Sequence, residues 1–256
     1  VHLASLIHDD IIDGAEIRRD QPALYRLCGT LPAILTGDYL FATAFGLLAR
    51  SKKAVLYAVT EAIRTMCTGE INQLTVSVPD INSYFTYIGQ KTAVLISAAC
   101  RCGAILCRLN RHQQEHSARF GWHLGLAYQI IDDFLDLFGS AEQTNKSCRQ
   151  DLSRGLLTLP VIRFLQLAPD APQWQENINR GLTAAEIEQL STLARGLECD
   201  LYTIIMAREE RDRALLCLDK LPANPARDKL AIMADKVLVS LDKACLYYAD
   251  AAHSLA

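Results

Sequence analysis

Long stretches in which apolar residues return every third or fourth position alternate with short polar interruptions. That spacing keeps one face of a 3.6-residue helix apolar. It recurs over 1–15, 33–50, 54–74, 83–108, 112–138, 158–167, 184–218 and 225–252. The interruptions hold the residues that end helices: RRDQPALYRLCGTLP (18–32), VPD (78–80), GSAEQTNKSCRQDLSRG (139–155), APDAP (168–172) and LPANPAR (221–227). The 184–218 stretch is expected to break near Gly196–Asp200. Thr183 followed by Glu186 predicts a capping box opening a helix. There is no alternating run long enough for a sheet, no repeat of fixed period and no dividing linker. The pattern predicts an all-α fold, a single-domain helical bundle over 1–256.

Composition agrees with helices and narrows the partners. Half the residues are apolar, 7% are aromatic, and glycine and proline number only 13 and 8. A net charge of −3 excludes non-specific nucleic-acid binding, which needs a clear basic excess. The nine cysteines are scattered and odd in number, with no CxxC pair, which predicts buried thiols in a reducing cytosol and a cytoplasmic protein. No uninterrupted apolar run reaches 18 residues and no signal peptide is present, so no membrane span is expected. The chain opens inside a periodic segment, VHLASLIHDD, without a cap or a methionine, and an N-terminal part is expected to be missing.

Charge becomes informative where it is concentrated. Asp9, Asp10 and Asp13 form one DDxxD; Asp132, Asp133 and Asp136 form another, in YQIIDDFLDLFG. On a helix, i and i+4 lie on one face about 5–6 Å apart, so each motif projects a carboxylate pair in one direction. Such pairs repel and raise each other's pKa, and a hard dication relieves this. Mg²⁺ takes oxygen ligands, commonly one or two carboxylates together with substrate phosphates. Solvated helix faces are not normally preceded by runs such as VHLASLIH. Arg18, Arg19, Lys91 and Lys146 offer cations for diphosphate oxygens, arginine as a fork and lysine as a point charge. The long irregular stretch 139–155 directly follows the second motif and also carries Arg149, Asp151 and Arg154.

DDIIDGAEIRR, GDYLFA (37–42), GEINQ (69–73), KT (91–92), YQIIDDFLD (128–136) and DLSRGLLTLP (151–160) resemble, in this order, the motifs of the trans-prenyl diphosphate synthases. Within that family they are most similar to the long-chain branch, notably the catalytic component of heptaprenyl diphosphate synthase, and the likeness runs to about residue 240. The resemblance implies an isoprenoid-synthase bundle around a central cavity. The activity it implies is Mg²⁺-dependent 1′-4 condensation of isopentenyl diphosphate with an allylic diphosphate such as farnesyl diphosphate, as in quinone side-chain biosynthesis. It assigns about three Mg²⁺ to Asp9, Asp10, Asp13, Asp132 and Asp133, with Asp136 in the outer shell. Arg18, Lys91 and Lys146 match contacts to the allylic diphosphate, and Arg19 and His2 match contacts to isopentenyl diphosphate. Thr92 and Gln129 match residues near the developing cation. It further implies a homodimer, or a heterodimer with a second subunit, and a lipid product that brings the protein near membranes.

Ala4 and Ser5 stand one helical turn before Asp9. Short-chain relatives place aromatics there, so small residues predict an open tunnel and a chain longer than farnesyl. The likeness has departures. A Gly-Gly-Lys-x-x-Arg segment would precede residue 1, Leu156 stands where DLxxGKxTLP often has lysine, and Asn145 replaces a glycine before Lys146. HQQEH (112–116) formally fits an inverted zinc-protease pattern, but no third ligand is evident. His8 reads as a packing or hydrogen-bonding residue. The rival readings are a class I terpene cyclase, whose second metal motif is not an aspartate triad, and a regulatory partner subunit, which usually loses aspartates.

Overall fold

The computed structural model describes residues 1–19, 21–75, 80–139 and 149–253. These form α1 (His2–Ile12), a two-residue hairpin of β1 (Ile17–Arg18) and β2 (Gln21–Pro22), α2 (Leu24–Cys28), α3 (Thr30–Leu48), α4 (Lys53–Thr75) and α5 (Ile81–Ile88). A π-helical turn (Gly89–Ala93) leads into α6 (Val94–Leu106) and then α7 (Arg111–Phe138). The remainder is α8 (Gln150–Ser153), α9 (Leu159–Leu167), α10 (Ala171–Arg180), α11 (Ala184–Gly196), α12 (Cys199–Leu218) and α13 (Pro225–His253). The fold is all-α, as the periodicity predicts.

α7 is the centre of the bundle. Asn110 opens it with a capping box: its side chain accepts from the Gln113 N–H at 3.0 Å, and Gln113 Oε1 accepts from the Asn110 N–H at 3.1 Å. Its buried face includes Phe120, Leu124, Ile130, Phe134 and Leu137, and it packs against α6 on one side and α12 on the other. A Cβ at Gly125 would lie 2.5 Å from the Ala93 Cα, and one at Gly121 2.6 Å from the Ile96 carbonyl oxygen. Glycine at these positions lets α7 meet α6 and the π turn at backbone distance. The main core joins α7 to Tyr84, Ile88, Leu159, Phe164, Leu190 and Ile204; a smaller cluster gathers Phe120, Leu124, Ala214, Leu218 and Ala234.

The predicted break at 196–200 is real. Glu198 adopts a left-handed φ of 57° between α11 and α12. The Thr183–Glu186 capping box is present. Among the described residues three helices escape the sequence pattern. α2 and α8 are too short to show a period, and α10 begins within APDAP. Pro172 occupies the first turn of α10, where its missing N–H costs no helical hydrogen bond, so a stop signal is in fact a start.

The cysteine expectation needs correction. The described cysteines are all free, as expected, but Cys28, Cys67 and Cys107 are exposed rather than buried. α3 also qualifies the membrane expectation. Despite Thr36, Asp38 and Thr43, it is long and apolar enough by composition to cross a membrane. It is nevertheless stitched to α1: His8 Nε2 lies 3.2 Å from the Ile34 carbonyl oxygen and 3.6 Å from Asp38, and a Cβ at Gly37 would overlap the His8 ring. His8 therefore packs and hydrogen-bonds, as the sequence reading has it.

Candidate active site

The first aspartate motif occupies the last turn of α1. Asp10 is turned inward and buried, and Arg18 from β1 donates to its Oδ1 through Nε at 2.8 Å and Nη2 at 2.5 Å. The hairpin thus folds the arginine back onto the motif. Asp9 and Asp13 act on Lys91, and Asp13 lines one cavity with it. Burial, and then the charge of Glu70 from α4, push the Asp9 carboxyl up to about 6. Lys91 lies in the π turn and donates to Glu70 at 2.8 Å. Although burial works against its charge, Glu70, Asp13 and Asp9 together hold its pKa above the usual lysine value.

The second motif, on α7, is held by donors from the opposite wall. Asp133 is buried; the Tyr84 hydroxyl of α5 donates to its Oδ2 at 2.6 Å, and Gln129 Nε2 donates to its Oδ1 at 2.8 Å. The Thr92 hydroxyl, one residue past Lys91, donates to Gln129 Oε1 at 2.7 Å. A continuous relay Thr92–Gln129–Asp133–Tyr84 therefore ties the π turn to the motif. Burial first and Asp151 second push Asp133 far above the carboxylate range, against the pull of the two hydrogen bonds. Asp136 accepts from the Asp151 N–H at 3.2 Å, and burial with the charges of Asp136 and Asp132 lifts Asp151 to about 7.

Between the motifs is a small polar cleft open to solvent, lined by Asp13, Tyr87, Lys91, Gln129, Asp133, Asp151, Arg154, Leu156 and Thr158. Residues from both DDxxD motifs thus face one space. Among the described residues no three His, Cys, Asp or Glu side chains are already gathered around a single point. Ions that bridge substrate oxygens need only one or two protein carboxylates each. Half-buried carboxyls lifted to about 6 and about 7 are groups whose charge the protein leaves under-compensated, which fits a dication.

His2, at the start of α1, is exposed, and its pKa is lowered by partial desolvation and then by the charge of Arg19. Arg19 itself sits in the hairpin turn with a left-handed φ of 52°. Ala4 and Ser5 are buried on α1, and Ser5 Oγ donates to the His2 carbonyl oxygen at 2.9 Å. Lys146 lies outside the described residues. Two residues of the site were not singled out from sequence: Glu70 sits inside the quoted motif GEINQ, and Tyr84 reads as an ordinary core aromatic. Asp151 and Arg154 stood out only as charges of the irregular stretch after the second motif.

The Polyprenyl synthetase family model matches residues 1–193. The chain is 31% identical over 238 residues to heptaprenyl diphosphate synthase component 2 of Bacillus subtilis (strain 168), covering 91% of this chain and 68% of that protein. It is 36% identical over 244 residues to the decaprenyl-diphosphate synthase of Dictyostelium discoideum, covering 93% of this chain and 52% of that one. A solved polyprenyl synthase from Caulobacter crescentus CB15, complexed with calcium and isoprenyl diphosphate, superposes with a TM-score of 0.87 at 32% identity, over 93% of this chain and 74% of that one. The helical bundle is thus shared with a solved polyprenyl synthase, and the chain belongs to the polyprenyl synthetase family. It spans between half and three quarters of the length of these relatives.

Proposed function

We propose that the chain is a Mg²⁺-dependent prenyltransferase that joins isopentenyl diphosphate head-to-tail (1′-4) to an allylic diphosphate, giving a medium- or long-chain all-trans polyprenyl diphosphate. The observation that carries this is the cavity on which an aspartate of each motif, Lys91 and Gln129 meet, with Thr92 bonded to Gln129 behind it. Mg²⁺ held by these carboxylates would supply Lewis-acid neutralisation of the departing diphosphate. The carboxylates we assign to the metal are Asp9, Asp10, Asp13, Asp132 and Asp133, with Asp136 in the outer shell. For direct contact Asp10 would have to release Arg18, and Asp133 would have to release Tyr84 or Gln129.

Lys91 lies beside Asp9 and Asp13 and so can follow the diphosphate as negative charge builds on it. The Thr92 hydroxyl donates a hydrogen bond to Gln129 and the Gln129 amide donates one to Asp133, so the Thr92 hydroxyl oxygen keeps lone pairs for a developing allylic cation. As the C–O bond breaks, the isopentenyl double bond forms the new C–C bond. The proton released from the adjacent carbon passes to the departing diphosphate, and no protein nucleophile is needed. His2, at the start of α1, and Arg19, in the hairpin turn, are assigned to isopentenyl diphosphate. Arg18 is assigned to the allylic diphosphate, for which it must exchange Asp10. Lys146 is assigned there too.

We place the protein in the cytoplasm as a homodimer that hands its lipid product to membranes; a heterodimer is the alternative. The Bacillus relative is named as one component of a synthase, which favours testing a second subunit. The deciding experiment is incubation with Mg²⁺, farnesyl diphosphate and radiolabelled isopentenyl diphosphate, followed by sizing of the extracted products. Elongated polyprenyl diphosphates are expected. A cyclic hydrocarbon, or silence that persists after a candidate partner subunit is added, would sink the synthase reading.

A further inference from the structure

We infer that Arg154 is a diphosphate-binding residue of this chain, acting from the cavity wall on which the neighbouring Leu156 offers no donor. The inference rests on the prenyltransferase reading and adds a residue to it.

The turn that presents Arg154 is fixed at both ends. At its start, the Arg149 N–H donates to the Asp136 carbonyl oxygen at 2.6 Å, and the Asp151 N–H donates to the Asp136 carboxylate at 3.2 Å. The turn therefore hangs from the second aspartate motif. At its end, the Leu156 N–H donates to the Asp151 carbonyl oxygen at 2.9 Å and the Gly155 N–H to the Leu152 carbonyl oxygen at 3.0 Å. This paired closure is a Schellman motif, and Gly155 supplies the left-handed residue it requires with a φ of +76°. Asp151, Arg154 and Leu156 are thereby set around one cavity, together with Asp13, Lys91 and Asp133.

A diphosphate in that cavity needs cations on more than one side. Lys91 faces it from the π turn, and Arg18 is already engaged by Asp10. On the α8 wall Leu156 contributes only apolar surface, and Arg154 is the cation among the lining residues there. Arg154 is close enough to Asp151 to draw that carboxyl down, so it stands at the negative part of the site. A guanidinium has five N–H donors in a planar fork. It can keep Asp151 and still donate to phosphate oxygens, which a single point charge does less well. The charge that the family often carries at the position of Leu156 is thus supplied from within the same turn.

The test measures binding separately from turnover. Inorganic pyrophosphate with Mg²⁺ is titrated calorimetrically into the parent chain, Arg154→Ala, Arg154→Gln, and Arg154→Ala combined with Leu156→Lys. Losing charge-assisted hydrogen bonds to phosphate predicts an affinity about tenfold weaker or worse in both single variants. The KM for the allylic diphosphate should rise in parallel while that for isopentenyl diphosphate stays within about twofold. Adding Leu156→Lys should recover most of the loss. Pyrophosphate affinity unchanged in Arg154→Ala overturns the inference, as does a loss that Leu156→Lys leaves in place. If the parent chain binds pyrophosphate through Arg154 but transfers no prenyl group, the prenyltransferase reading falls and the binding assignment holds.

Discussion

Tyr84 shows how much one hydroxyl can carry. It is fully buried, and its O–H is spent on one oxygen of an equally buried carboxylate, Asp133, at 2.6 Å. Tyr84→Phe keeps the ring and its edge-on contacts with Phe85 and Tyr87 while leaving Asp133 Oδ2 without that donor. An unsatisfied buried acceptor costs about 1–3 kcal/mol, which urea unfolding of the metal-free variant should show. Turnover should fall further than stability, because Asp133 orients Gln129 and, through it, Thr92. Unchanged unfolding and unchanged kcat would remove Tyr84 from the site. Ala4 calls for the opposite change. It is buried one turn before Asp9, so Ala4→Phe should obstruct the space beyond the allylic substrate and shorten the product. Chromatographic sizing of the polyprenyl products checks this; an unaltered length distribution would mean that the chain grows along another path.

At the scale of elements, the site depends on α1, the π turn, α7 and the α8 turn bringing carboxyls together faster than they bring compensating cations. The folded-state values of about 6 for Asp9 and about 7 for Asp151 lie above the ordinary unfolded value of about 3.9. A carboxyl whose pKa is raised by folding binds its proton more tightly in the folded state. Its favourable contribution is complete below about pH 4 and is lost as pH rises through about 6 to 7. The metal-free protein should therefore melt at lower temperature at pH 8 than at pH 5, and Mg²⁺ should raise the melting temperature more at pH 8, where it need not displace protons. Calorimetric scans with and without Mg²⁺ at both pH values test this, and stabilisation by Mg²⁺ independent of pH would contradict it. These elements were legible to different degrees. α7 and both DDxxD motifs follow from period and charge, because both depend on neighbours along one helix. Arg18 beside Asp10 and Tyr84 beside Asp133 do not, since the one arrives by a hairpin and the other from 49 residues away. Asp151 and Arg154 become site residues only through a turn closed by backbone hydrogen bonds, which leaves little trace in hydrophobic periodicity.

Across the whole molecule, α3 poses the remaining question of what covers it. Its inner edge, with Ala33 and Gly37, is buried, while Leu31, Leu35 and Tyr39 are 67%, 58% and 72% exposed at successive i+4 steps. This is the spacing of a helix-packing stripe rather than of scattered surface residues. A 19-residue helix is about 28 Å long, enough to anchor the roughly 800 Å² per partner that a stable association buries. Lipid would be a poor match, because Asp38 of this helix, which meets His8 of α1, would have to leave water. The occupant we assign is a second copy of the chain. Leu35→Asp combined with Tyr39→Asp places two charges on the stripe at exposed positions, so the helical content measured by circular dichroism should persist. Light scattering should then find a dimer for the parent chain and a monomer for the double variant. Activity should fall with the loss of the dimer if the partner steadies α1 through α3. A parent chain that is monomeric alone, and associates only when a second, non-catalytic subunit is mixed in, would transfer the stripe from the homodimer to the heteromeric arrangement.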